Sequence, residues 1–440
     1  MMILPLIVLM IGCTRFLEEK SDLKLATPET LEDNQALLDQ VQTVIANTSS
    51  SGEVSSDDFY LTDADYKGLL SEEDKRLYSW QPDHVSVTGD NDWQYCYKAI
   101  YTANSVLFNI ETYHIPGADN IKGQALAIRA ARYLDAAQIW CLVYNPATAS
   151  TDLGLPLRLD PDMNIPSVRA SVQQTYSQIL GDLHQALPLL PIKQIAATRP
   201  SKIAVLGLLA RTYLWMGNYP KALENALEAL TLNNSLMDYN MLNPSDAYPI
   251  KEMNVEVLFS TTINLSSPIT PSRAKVPLPL YQSYGDNDLR KSIFFKTNTA
   301  GEILYRGNYT GRTAKLTGIA IDELYLIAAE CYARAGDIAL SMKTLNELLI
   351  TRWKTGTFIP FSVSSKEEAL ALVLKERRKE LMYRGLRWPD IKRLNRDGSN
   401  IILSRSINGQ MYTLLPNDLR YAIAIPEDVI ALTGMPQNKR

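Results

Sequence analysis

Leu206–Leu230 reads LGLLARTYLWMGNYPKALENALEAL, and 119 positions later Tyr325–Leu349 reads YLIAAECYARAGDIALSMKTLNELL. The two stretches align without a gap: Ala210 with Ala329, Tyr213 with Tyr332, Gly217 with Gly336, Leu230 with Leu349. Each sets small and large apolar residues at helical spacing, breaks at a glycine, and resumes the same spacing. Glycine suits the left-handed residue that ends a first helix, and alanine lets a second helix pack closely against it. This is the helix–turn–helix pattern of tetratricopeptide units, which bury a shared core by stacking side by side. The expectation is a mainly α protein on a tetratricopeptide-like repeat scaffold.

Neighbouring stretches carry the same character. Trp93, Tyr97, Ile100 and Leu107 form one helical stripe, with Ala103 and Asn104 beside it; at this spacing Trp93 and Tyr97 read as core. Ala125–Val143 is Ala-rich and apolar on a broad face, and Ser171–Leu189 follows turn-prone Asp-Pro and Ile-Pro steps. Ser201 reads as an N-cap, and Ser364-Ser365 ahead of Glu367-Glu368 reads as a capping box opening a helix over Lys366–Arg384. Two long stretches lack this period. Glu53–Asp92 is rich in Asp, Ser and aromatics, and Asn233–Thr317 in Pro, Asn, Gly, Ser and Tyr. Loops of that length in a compact domain are usually functional or carry short irregular elements.

The chain has 440 residues, an apolar share of 46% and a formal net charge of -4. That charge provides no basic face for nucleic acid. Catalytic signatures are missing: there is no H-E-x-x-H, G-x-S-x-G, P-loop or G-x-G-x-x-G, which weakens an enzyme reading without excluding it and nominates no cofactor. His84, His114 and His184 stand far apart in no metal-ligand spacing. Asp90-Asn91-Asp92 and Asp286-Asn287-Asp288 lack the Gly and distal Glu of an EF-hand and read as polar turns. Cys96, Cys141 and Cys331 encode neither a disulfide framework nor a zinc site, and Cys96 and Cys331, with apolar or aromatic neighbours, read as buried thiols.

Aromatic content is more suggestive, with 23 Tyr and 6 Trp against 8 Phe. The CH-rich faces of sugars stack on aromatic rings while their hydroxyls bond polar neighbours. Tyr78 and Trp80 in the first loop region, and Tyr281, Tyr284, Tyr305 and Tyr309 in the second, are therefore candidates for ligand contact. The alternative for each is a ring that pins its own loop. The segment Glu376–Arg393 is dense in charge and reads as a structural ion-pair network rather than an anion site. Within it, Glu380 and Arg384 stand in the order that favours a helical pair, Gly385 can end the helix, and Arg387 and Asp390 suit partners elsewhere.

The N-terminus adds a separate signal. Met1–Gly12 is uncharged and apolar, too short to cross a bilayer as a helix, which takes roughly 20 residues. It suits the core of an export signal, and Gly12-Cys13 resembles a bacterial lipoprotein cleavage site with Cys13 as the acylated new N-terminus.

Together these pieces resemble the SusD/RagB family of Bacteroidetes outer-membrane nutrient-binding lipoproteins. The resemblance rests on Phe16-Leu17-Glu18 with Thr30-Leu31-Glu32-Asp33 and on Trp93-x-x-x-Tyr97-x-x-Ile100-x-x-Ala103-Asn104. Arg132-Tyr133 and Gly154-Leu155-Pro156-Leu157 follow in order. Glu323–Gly336 and Glu376–Asp390 complete it. It implies a SusD-like α-superhelix, with residues 1–12 as signal peptide and 13–440 as one domain. That domain would comprise an N-terminal part (13–200) and a C-terminal part (201–440) carrying a loop-rich insertion at about 233–317. It further implies a non-enzymatic protein lipid-anchored through Cys13 on the outer face of the outer membrane. Glu18 and Glu19 are similar to the acidic export signal of such surface lipoproteins, and the lack of a basic residue before the apolar run suggests a start a few codons upstream. The implied task is to capture an oligomeric nutrient, usually a glycan, and deliver it to a SusC-like TonB-dependent transporter. A helical-repeat lipoprotein that binds only protein partners is the alternative, and a glycosidase has no nominated carboxylate pair.

Overall fold

The computed structural model describes residues 27–440. The chain runs through α1 (Leu31–Leu38), α2 (Ser51–Ser55), α3 (Asp63–Lys67), α4 (Glu72–Tyr78), α5 (Asp92–Thr112), α6 (Asp119–Trp140), α7 (Val172–Ala186) and α8 (Lys202–Met216). It continues through α9 (Tyr219–Leu232), α10 (Leu278–Gln282), α11 (Arg290–Phe294), α12 (Ile321–Ala335), α13 (Ile338–Leu349), α14 (Lys366–Glu380), α15 (Arg387–Arg396) and α16 (Glu427–Thr433). Three two-stranded antiparallel ribbons punctuate the helices: β1 (Leu153–Pro156) with β2 (Arg169–Ser171), β3 (Phe295–Thr297) with β4 (Ile303–Tyr305), and β5 (Leu403–Ile407) with β6 (Gln410–Leu414). The fold is the expected helical-repeat scaffold with loop-rich insertions.

The repeat folds as its residues require. Gly217 and Gly336 are both left-handed, at φ 81° and 85°. Each helix end is closed by the same bonds, the Gly217 and Asn218 N–H groups donating to Leu214 and Tyr213 carbonyls, and Gly336 and Asp337 to Ala333 and Tyr332. Asn218 and Asp337 then cap the next helix by accepting the Lys221 and Leu340 N–H groups. One residue pair therefore ends a helix and starts the next, which fixes the hairpin geometry. Ala210, Ala222, Ala226, Ala328 and Ala329 are fully buried, so α8 packs closely on α9, α12 on α13, and α9 on α12. Helices α5, α6 and α7 extend the stack, and α14 packs on α12.

Ser201 and Ser365 cap α8 and α14 as expected, the latter in a capping box with Glu368. However, α14 stops at Glu380, four residues before the predicted end, and Tyr383 and Gly385 turn the chain at φ 58° and 71°. Glu380 and Arg384 consequently do not pair with each other. Glu380 meets Arg290 and Arg352, and Arg384 meets Asp322 at 3.2 Å. Buried partners from other elements outweigh a local helical pair that would leave both charges unmatched in the interior.

The two loop-rich regions hold short helices and lie against each other. Tyr60 bridges to Lys275, Lys275 to Leu304, and Thr48 to Ile263. Asp92 binds the start of α2, accepting from the Ser50 and Ser51 N–H groups at 2.8 Å each. No helix of the described residues is long and apolar enough to cross a membrane.

Candidate ligand-binding cleft

The sequence-predicted ring residues lie mostly inside the molecule. Tyr78 is buried, its hydroxyl accepts the Leu61 N–H at 2.8 Å, and the Arg405 guanidinium sits 3.8 Å from its ring centre. Trp80, at positive φ, is buried under the same arginine and donates Nε1–H to the Ser55 carbonyl at 3.0 Å. Tyr284 donates to the Lys379 carbonyl, Tyr305 stacks on Tyr383 at 4.8 Å, and Tyr309 donates to Glu256 at 3.0 Å; all three are buried. Tyr281 is half-buried, edge-on to Phe295, with the Lys291 ammonium 5.5 Å from its ring centre. These rings pin the loops to the helical body. A ring whose faces are covered by protein has none left for a sugar, so the cluster is not an open binding surface. Cys13 lies outside the described residues.

An open cleft lies elsewhere, about 590 Å³ in volume, along the N-terminal half of α5. Beneath it runs the α5 stripe, which is core as expected: Trp93 is buried and Tyr97 half-buried, so they support the cleft and show it only their edges. Trp93 and Tyr97 stack at 4.6 Å with 27° between planes, and Trp93 meets Trp140 edge-on beneath. One turn further along, Tyr101 projects into the same cleft and is 46% exposed. The spacing of four residues puts all three rings on one helix face, about 6 Å apart along the axis.

The second wall is the loop after β1. Tyr97 donates its hydroxyl to the Pro156 carbonyl at 2.9 Å, and the Asn104 amide donates to the Arg158 carbonyl at 2.8 Å. Asn104 in turn accepts from Arg129, which is paired with the buried Asp182. Arg158 binds the Ile165 and Asp162 carbonyls, and so holds the loop that carries Met163, which is 80% exposed. Helix α16 forms the third wall with Val429 and Leu432, and Met435 follows it. The charged lining residues balance, Lys98 and Arg158 against Asp160 and Asp428. Apolar walls, a few amide and hydroxyl groups and a volume of several hundred Å³ are what a small-molecule or oligomer site requires.

Trp93, Tyr97 and Asn104 were visible in the sequence only as scaffold, and Tyr101, Arg158, Met163 and α16 were not singled out. Residues far apart in the chain make this site, and no spacing rule connects them. Among the described residues, no group of three or more His, Cys, Asp or Glu side chains is placed to hold a metal ion. Asn91, in one of the two acidic turns, caps α5 instead, and Asp288, in the other, pairs with Arg290 at 2.7 Å.

The charged C-terminal segment is an ion-pair network, as expected. Arg387 holds Asp57 in a two-point contact at 2.6 and 2.9 Å, and Arg393 holds Glu330 at 2.6 and 2.8 Å. Burial acts to raise the Asp57 carboxyl, but Arg387 and Arg378 overcome it and bring it to about 2. The same balance, set by Arg377 and Arg393, holds Asp390 at about 2.

Comparison with known proteins gives a consistent picture. A family model described as starch-binding and associating with outer membrane matches residues 15–214, and the SusD family model matches residues 304–425. A SusD superfamily protein from Bacteroides thetaiotaomicron VPI-5482 superposes with a TM-score of 0.74 at 24% identity, over 93% of this chain and 100% of that one. A SusD-like carbohydrate binding protein from Bacteroides vulgatus ATCC 8482 gives 0.69 at 20% identity, over 92% and 97%. A laminarin binding SusD-like protein gives 0.66 at 17% identity, over 92% and 97%. No curated protein sequence matches the chain. With both halves matched in order and the whole fold shared, the chain belongs to the SusD/RagB family.

Proposed function

We propose that this protein captures a neutral oligosaccharide in the α5 cleft and hands it to a SusC-like TonB-dependent transporter while anchored to the outer membrane through lipid on Cys13. The observation that carries the reading is the cleft itself, an aromatic floor flanked by amide groups with two positive and two negative side chains at its edges. Balanced charge favours an uncharged chain over a polyanionic one, because a uronate or sulfate polymer would need a net positive groove. The carbohydrate-binding and laminarin-binding proteins among the structural relatives support a glycan as the ligand. Acting as a binding protein rather than an enzyme agrees with the family membership.

Tyr101 tests the site directly. It is the exposed ring of the cleft, so Tyr101→Ala should weaken retention on a neutral glucan such as laminarin by about fivefold, the worth of one ring stack. Its melting temperature should stay within the small range of a surface substitution. Affinity electrophoresis reads the first and thermal denaturation the second; unchanged retention would remove the cleft as the site. The anchor is tested separately, since Cys13→Ala should shift the protein from the membrane pellet to the soluble fraction, and palmitate labelling that survives the substitution would sink it.

A further inference from the structure

Resting on the cleft as the ligand site, we infer that α16 is a hinged wall that opens and closes it. The segments on either side of α16 are firmly fixed. Ile423 donates to the Ile139 carbonyl at 2.8 Å, and the Gln437 amide closes both backbone groups of Ile425, at 3.0 and 2.7 Å. Asn438 donates to the Trp140 and Ile423 carbonyls and accepts from the buried Arg169.

Between these clamps the attachment is slight. None of the seven residues of α16 is buried. Val429 and Ile430 pack partly against the core. Among the described residues, α16 makes side-chain hydrogen bonds to the rest of the molecule only at its two ends: Glu427 accepts the His84 N–H at 2.6 Å, and Thr433 accepts the N–H of Met435 just beyond the helix at 3.3 Å. The His84 ring stands 3.9 Å from the same carboxylate, and both side chains reach solvent.

The two ends of α16 have the form of joints. Pro426 precedes the first turn, and Gly434 follows the last at φ 67°, with open space where a Cβ would be. Leu432 lines the cleft yet is 86% exposed, and Met163 on the facing loop is 80% exposed. Two large apolar side chains held in water on opposite lips gain by covering a chain laid between them, since each buried methylene stabilises by about 0.8 kcal/mol. A short helix with few buried apolar contacts, set between fixed points, is the kind of element that opens locally at low cost.

Hydrogen exchange on the whole protein, with and without laminarihexaose, tests this. In the free protein the amides of Val429–Thr433 should exchange about 100-fold faster than those of Ile423, Ile425 and Asn438. Adding the sugar should slow Val429–Thr433 together with the cleft floor at residues 93–104. Exchange of α16 as slow as that of its flanks overturns the hinge. Protection of the floor without protection of α16 overturns the closing wall and leaves the cleft reading standing. No protection anywhere overturns the glucan ligand, while fast opening in the free protein still supports the hinge.

Discussion

At the scale of single residues, charge is the unusual feature of this interior. Arg290 and Arg352 are fully buried among Asp288, Glu256, Glu376 and Glu380, with N–O distances of 2.6 to 3.0 Å. Such groups are tolerable inside a protein because every charge meets an opposite one and its remaining hydrogen-bonding capacity is used. Lys392 departs from the pattern. It is buried with no carboxylate, its ammonium donating to the Gln138 and Cys141 carbonyls at the end of α6. Burial pushes it down from 10.5 to about 7. Between those pH values the unfolded chain binds a proton that the folded chain has released, so Lys392 makes stability fall as pH drops from about 10.5 toward 7, and nothing further is lost below. Glu53, raised by burial to about 8, has the opposite slope between 4.5 and 8. Lys392→Met isolates the lysine. Relative to wild type, the variant should gain up to about 1.4 kcal/mol for each pH unit lowered from 10 to 8. Urea denaturation at three pH values measures this; a constant difference would show that the amine stays charged when folded.

At the scale of elements, the helix hairpins were the most legible part of the sequence. A glycine followed by Asn or Asp, between alanine-rich helical stretches, carries the turn and the next cap in two consecutive residues. The two turns nonetheless differ in their surroundings. A Cβ at Gly336 meets nothing within 4 Å, whereas one at Gly217 comes within 3.1 Å of the Arg396 guanidinium. That guanidinium donates to the Trp215 and Tyr144 carbonyls. Gly336→Ala should therefore cost only the left-handed backbone, about 1 kcal/mol, and Gly217→Ala more, because Arg396 must shift as well. Denaturant midpoints of the two variants give the comparison, and equal losses would count against the role of Arg396. The end of α14 was less legible. Its sequence stays helix-favouring to Arg384, but the turn at Tyr383 and Gly385 delivers Arg384 to Asp322 and the Gly385 N–H to Glu53 at 3.1 Å.

At the scale of the molecule, the first and last parts of the chain are interlocked. Arg378 and Arg387 reach across to Asp57 and Asp58, and Arg405 on β5 donates to the Val54 and Ser56 carbonyls while stacking over Tyr78 and Trp80. With one continuous core joining all the long helices, calorimetry should show a single unfolding transition. Arg405→Ala, which strips carbonyls of residues 54, 56 and 78 of their donor, should lower stability by about 3 kcal/mol without splitting that transition; two separate peaks would contradict the interlock. The same clamp explains why Tyr78 and Trp80 looked like ligand residues and yet lie buried. Their polarity and loop context resemble those of a binding surface, and only a partner more than 300 residues away shows that their faces are taken. Local pattern determined the helices, their caps, the repeat and its family, because hydrogen bonding and apolar periodicity act over three to seven residues. Which aromatic rings stay open to a ligand, and which charges meet, was decided by the tertiary structure, because burial depends on everything that packs against a residue and not on its neighbours in the chain.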